Sequence, residues 1–183
     1  MLAFFLQYWF ARYQERKGIR AAAHKILFFV FQQINTILMI QRDFVHPKLK
    51  DPLRFISIYP TLDFEPERDV VDYSAFAFMM DSQASRAILY ELWLAQQNYT
   101  EAIRAWNVRS QFHNKEVQPK LAESIVNGSM VSIEEVEAAL GVRIYDTIHG
   151  ATEAVLIGLK SAFVKLSEAN VRFRAYVVAR FNS

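Results

Sequence analysis

Hydrophobic positions recur at helical spacing along most of this chain. In the first 45 residues the stripe Trp9, Ile19, Ala23, Ile26, Val30, Ile34, Ile37 and Phe44 steps by threes and fours along one helix face. Phe28, Phe29, Phe31, Leu38 and Met39 widen the stripe, so more than one partner must cover this helix. His46-Pro47 ends it, because a residue before proline resists the α region. A second stripe, Ile88, Leu92, Ala95, Tyr99, Ala102, Ile103, Trp106, then Val117, Leu121 and Ile125, predicts a helix over about residues 84–127. Pro119 is expected to kink it, and Asn127-Gly128 to stop it. A third stripe runs through Tyr145, Ile148, Val155, Leu156, Leu159, Ala162, Phe163, Leu166, Ala169, Phe173, Tyr176 and Val177. It is close to a heptad pattern and predicts a helix over residues 142–181.

The segments between the stripes carry boundary signals. Pro47, Pro52, Pro60 and Pro66 punctuate a connection of about 25 residues, long for a loop without structure of its own. Its middle, residues 53–59, reads as a short extended segment. Asp72 or Ser74 is placed to cap a short helix reaching Met80. Ser132-Ile133-Glu134-Glu135 has the spacing of a capping box, which opens a short helix to Leu140 that Gly141 stops. The predicted fold is therefore all-α: an antiparallel bundle of three long helices, with two short connecting helices and one long irregular Pro-containing loop. A first helix over residues 3–45 would be about 65 Å long, against a radius of gyration of about 16 Å for a compact chain of this size. Either it bends, with Gly18 the expected place, or the molecule is a rod.

Composition narrows the class. The chain has 183 residues, 52% hydrophobic and 22% charged, which is enough apolar material for one real core. It has no cysteine, so disulfides and thiolate metal sites are excluded. The net charge of +2 is too small to argue for nucleic acid, but it is unevenly distributed. Residues 1–50 hold eight basic side chains against two acidic ones, net +6, and the remainder is net −4.

That positive charge stands directly behind an apolar tip. Residues 1–11 are almost wholly apolar and aromatic, with Leu2, Phe4, Phe5, Leu6, Trp9 and Phe10 the expected contacts to membrane or to another chain. Arg12, Arg16, Lys17 and Arg20 form a basic collar behind them, where the positive-inside rule places cations on the cytoplasmic side. Arg12 ends the apolar run well before the roughly 20 residues a span needs. Charge following the apolar region, with no small-residue cleavage site, argues against a signal peptide. Three placements stay open. The tip dips into one leaflet, it ends a transmembrane helix that starts upstream of an internal Met, or it packs on protein. Residues 1–20 are thus read as tip and collar, continuous with the first helix, and residues 21–183 as the bundle.

Candidate chemistry is sparse. His24, His46, His113 and His149 are far apart, with no HExxH pattern and no pair four residues apart. His113 and His149 are placed to meet across two antiparallel helices near Arg109, and these three are expected to form a buried polar layer that fixes register. The acidic run Asp63, Glu65, Glu67, Asp69, Asp72 lacks the turn glycine and terminal glutamate of a calcium loop. Phosphate-binding glycine loops and a GxSxG elbow are absent from the sequence. No catalysis, cofactor or metal is therefore expected. Lys165, Arg172, Arg174 and Arg180 read as cations favoured near a helix carboxyl end.

The order of pieces resembles a type of uncharacterised bacterial, membrane-anchored α-helical protein. The resemblance rests on the apolar tip and collar, the run Asp51-Pro52-Leu53-Arg54-Phe55, the pattern from Tyr90 through Tyr99 to Ala105-Trp106-Asn107-Val108-Arg109, and the cap at Ser132. It covers most of the chain through loose helical patterns and implies fold and anchor, with no activity. The expected role is a membrane-associated scaffold or effector acting through protein contacts at the cytoplasmic face of an inner membrane. A toxic effector of a bacterial defence system is its narrower version. The alternative is a soluble, cytoplasmic homo-oligomer with a small-ligand pocket. Nucleic acid is not expected as a partner.

Overall fold

In the computed structural model the described residues are 2–65, 73, 76, 79, 80, 82–124 and 132–181, with side chains described from residue 5. They are helical almost throughout and contain no strand. Three long helices dominate: α1 (Leu2–Ile40), α3 (Gln83–Phe112) and α6 (Val142–Phe181), with short α2 (Arg54–Ser57), α4 (Gln118–Ser124) and α5 (Ile133–Leu140) between them. The all-α bundle read from the stripes is the fold observed. The expected caps at Asp72 or Ser74 and the stop at Asn127-Gly128 lie outside the described residues.

α6 lies against both α1 and α3. Its direction follows from three cross-links to α3, namely Arg172 to Glu91, Lys165 to Asn98, and Thr152 to Arg109. Numbers rise along one helix as they fall along the other, so α3 and α6 are antiparallel. Between α1 and α3 the numbers rise together: Gln33 meets Gln96, and Phe44 meets Trp106 with ring centroids 6.0 Å apart. α1 and α3 are therefore parallel, and α6 runs against both.

A parallel pair needs a long return, and the proline-punctuated connection supplies it. It climbs back along α3, bonding Thr61 to Ser110, Phe64 to Asn107, Tyr73 to Gln96 and Met79 to Ser85. Residues 53–59, expected to be extended, instead contain α2. Asp51 nucleates it by accepting from the Leu53 N–H at 2.8 Å and the Ser57 hydroxyl at 2.6 Å. These two bonds hold the Asp51 carboxyl below its usual range. A single turn of four residues is too short to display a helical period.

The α1 stripe buries Ala23, Ile26, Val30 and Ile37, and the α6 stripe buries Val155, Leu159, Ala162, Leu166, Ala169 and Phe173. With Leu92, Tyr99, Ile103 and Trp106 of α3 they form the main core. A second cluster at the base joins Phe55, Val117, Val136, Leu140 and Ile148. The capping box at Ser132 and Glu135 is formed, and Gly141 ends α5 with φ 72°, a conformation that favours glycine.

Gly18 does not break α1, which is continuous over 39 residues. The irregularities come at the prolines. Gln41–Val45 and His113–Val117 are π turns, in which His46 N–H reaches Gln41 and Gln118 N–H reaches His113. Each π turn ends two residues before a proline, Pro47 or Pro119. Proline cannot donate to the carbonyl four residues back, and its ring crowds that carbonyl. The wider turn makes room for it without breaking the helix.

Candidate functional site

Two places gather polar or charged groups with something to do, one at each end of the bundle. At the base, Arg109 is 1% exposed although no carboxylate among the described residues pairs with it. Its Nη2 donates to the Phe55 carbonyl at 2.8 Å and its Nε to the Thr152 hydroxyl at 3.3 Å. His113 Nε2 lies 3.0 Å from the Ile56 carbonyl. A four-residue helix leaves its last carbonyls without partners, and Arg109 of α3 together with His113 of the π turn after it meets two of those of α2. Trp106 and Asn107 extend the clamp. The indole N–H donates to Thr61 Oγ1 at 2.7 Å, and the Asn107 amide bonds both the N–H and the carbonyl of Phe64.

Burial pushes the Arg109 guanidinium down to about 10, so it is still charged near neutral pH. Burial, assisted by the Arg109 charge and opposed by the Ile56 carbonyl, pushes His113 below its ordinary value. A neutral His113 with its proton on Nε2 fits the carbonyl it faces. Arg109 Nη1 and His113 Nδ1 are buried and meet no hydrogen-bond partner among the described residues. The site holds the connection to α3.

His149, expected in this layer, is exposed. It stacks on Tyr145 and meets the edge of Phe55. The buried α6 face here is Ile148, Thr152, Val155, and His149 falls one position off it. Thr152 takes the place assigned to His149. Among the described residues no group of three His, Asp or Glu side chains is placed to hold a metal ion.

At the other end, α1 projects past the bundle. Residues 5–18 are all exposed, and burial on α1 begins at Ala23. Phe5, Leu6, Trp9 and Phe10 are 74%, 61%, 68% and 62% exposed, while the side chains of Leu2 and Phe4 lie outside the described residues. Trp9, expected to open the core stripe, meets no other described helix, and α6 reaches Phe181 opposite the collar. It stacks on Tyr13 instead, and Arg12 lies over Tyr8. α1 is long and apolar enough to cross a membrane, with a mean hydropathy of 1.3 in its best window, a third of which is buried in the bundle.

The collar is not a uniform ring. Tyr13, Arg16, Lys17, Ile19 and Arg20 of α1 line a cleft with Arg180 and Phe181 of α6, enclosing about 690 Å³. Arg12 is not part of it. Arg16, Lys17 and Arg20 are exposed and make no ion pair with any described residue. Sequence reasoning grouped these three with Arg12 and assigned Arg180 to the helix end. Only the antiparallel pairing of α1 with α6 brings Arg180 to them. Lys165 and Arg172, from the same expected group, tie α6 to Asn98 and Glu91.

No protein-family model, no curated protein and no solved structure matches the chain. What fold and sites define is an all-α bundle with a clamped base and a protruding apolar tip.

Proposed function

We propose that this is a membrane-associated helical protein, held at the bilayer by the end of α1 and acting through protein contacts. The observation that carries the reading is the set Phe5, Leu6, Tyr8, Trp9 and Phe10, each more than half exposed on a helix end and packed against no other described helix. Exposed aromatic patches of this kind mark interaction sites, and aromatics beside arginine and lysine suit the headgroup boundary. The resemblance to membrane-anchored bacterial helical proteins belongs to the same reading, as does a cytoplasmic-face location. Purified full chain mixed with phospholipid vesicles should float with them on a density gradient. The variant Phe5→Ser/Trp9→Ser/Phe10→Ser, folded by circular dichroism, should stay in the dense fractions. Wild-type protein remaining in the dense fractions would overturn the proposal.

A second reading, self-association, is favoured by a different observation. Ile157, Val164, Val171 and Val178 stand seven residues apart on α6 and are 70%, 44%, 67% and 49% exposed. A strict seven-residue repeat keeps facing a partner helix only in a coiled coil, and β-branched residues suit one seam position of a dimer. Light scattering should give a dimer mass that Val164→Lys/Val171→Lys reduces to a monomer. A detergent-free monomeric wild type rejects this reading.

A further inference from the structure

The collar cleft joins four cations contributed by two helices. Arg16, Lys17 and Arg20 come from α1, Arg180 from α6, and no carboxylate lines the cleft among the described residues. Three of the four, Arg16, Lys17 and Arg20, make no ion pair with any described residue. Like charges lining one cleft repel one another, and the arrangement is favourable when an anion lies between them. Arginine forks match the oxygens of a phosphate group and bond them in pairs, with lysine adding a compact charge. Tyr13, Ile19 and Phe181 give the cleft apolar lips. A volume of about 690 Å³ suits a ligand larger than a bare ion.

Position narrows the ligand class. The first cleft cation, Arg16, stands six residues behind Phe10, roughly 9 Å along the helix axis. With the aromatic tip at the hydrocarbon boundary, that distance places Arg16 and Lys17 at the outer edge of a headgroup layer roughly 5–8 Å thick. From these observations we infer that the cleft between α1 and the end of α6 is a binding site for the phosphate of an anionic phospholipid headgroup. The inference rests on the membrane reading above for its choice of a lipid over a soluble phosphate.

The test avoids bilayers, so that it can fail independently of flotation. Full-length protein is titrated calorimetrically with monomeric short-chain phosphatidylglycerol, with short-chain phosphatidylcholine and with inorganic phosphate. The expected result is saturable one-to-one binding of phosphatidylglycerol, with the other two weaker by at least tenfold. Arg20→Gln/Arg180→Gln should abolish that binding. Arg12→Gln/Lys25→Gln removes the same charge from α1 outside the cleft and should retain it. Inorganic phosphate binding as tightly as the lipid would assign the cleft to a soluble phosphate compound and overturn the lipid assignment. Equal losses in the two double variants would reduce the site to general collar charge and overturn it too. Absence of saturable binding would remove the site, while flotation would still decide membrane association.

Discussion

At the base of the bundle Arg109 is buried and directs its hydrogen bonds to Phe55 and Thr152. At the far end Arg16, Lys17 and Arg20 stand exposed on α1 without an ion pair among the described residues. Both sets lie on long helices beside aromatic rings. What separates them is whether backbone carbonyls are available. α2 ends on free carbonyls that must be satisfied once the connection is buried, and Arg109 and His113 satisfy them. Around the collar no described side chain from Phe5 to Arg20 is buried, so its cations are available to a partner from outside. A cation here is structural or free to bind according to what packs against it, and that is not written at the residue itself.

The largest effects should appear in the shared core, where α6 meets both other helices. Leu159 is 1% exposed, and Leu159→Asp would place an unpaired charge there at a cost of several kcal/mol. The expected outcome is loss of cooperative thermal unfolding; a melt like the wild type's would show that α6 is not the central helix.

Next comes the comparison of arginines. Arg109→Ala removes a buried side chain and leaves the Phe55 carbonyl without its donor, a loss of about 3 kcal/mol. Arg20→Ala should change stability by less than about 0.5 kcal/mol. Urea midpoints for the two variants decide the contrast, and equal shifts would erase it. Proteolysis within the segment 54–64 should accelerate in the first variant only.

How much of this was legible differs between the two ends. The three stripes revealed the long helices because each core position repeats over many turns, and the capping box at Ser132 could be read from spacing alone. The tip was legible for the opposite reason, since its aromatics have no polar face to oppose. α2 was not, because one turn cannot show a period and its start depends on Asp51 bonding Ser57. Nor was the parallel arrangement of α1 and α3, which depends on where the connection runs. His149 was misplaced because pairing polar residues across helices ignored the 148–152–155 face. Continuing the stripe backwards from Leu159 through Val155 would have selected Thr152. Arg180 entered the cleft only through three-dimensional pairing, and no local signal announces that.

A smaller effect concerns pH. The folded-state His113 value is lowered, so below the ordinary imidazole range near 6.5 the unfolded chain binds a proton that the native state holds poorly. The stability His113 contributes is present above about pH 6.5 and is lost as pH falls from there through its lowered native value. Urea midpoints should fall between about pH 7 and pH 5 more steeply in the wild type than in His113→Gln. Parallel slopes would place the titration elsewhere.

The smallest effect is at the protruding end. Gly18 lies inside a continuous helix, and an added Cβ there would meet no atom within 4 Å. Gly18→Ala should therefore raise helix stability by about 0.5–1 kcal/mol. A lowered melting temperature would mean that the collar region is not helical in solution.

The contrast between the ends is tested most directly by the tryptophans. Trp106 is buried at the base, whereas Trp9 stands on the tip, 68% exposed. Vesicles of phospholipid brominated along the acyl chains should quench the emission of the wild-type protein, and Trp9→Phe should lose that quenching while leaving the signals of Trp93 and Trp106, both on α3, in place. Quenching that is absent from the wild type, or that persists in Trp9→Phe, would contradict the membrane contact of the α1 tip.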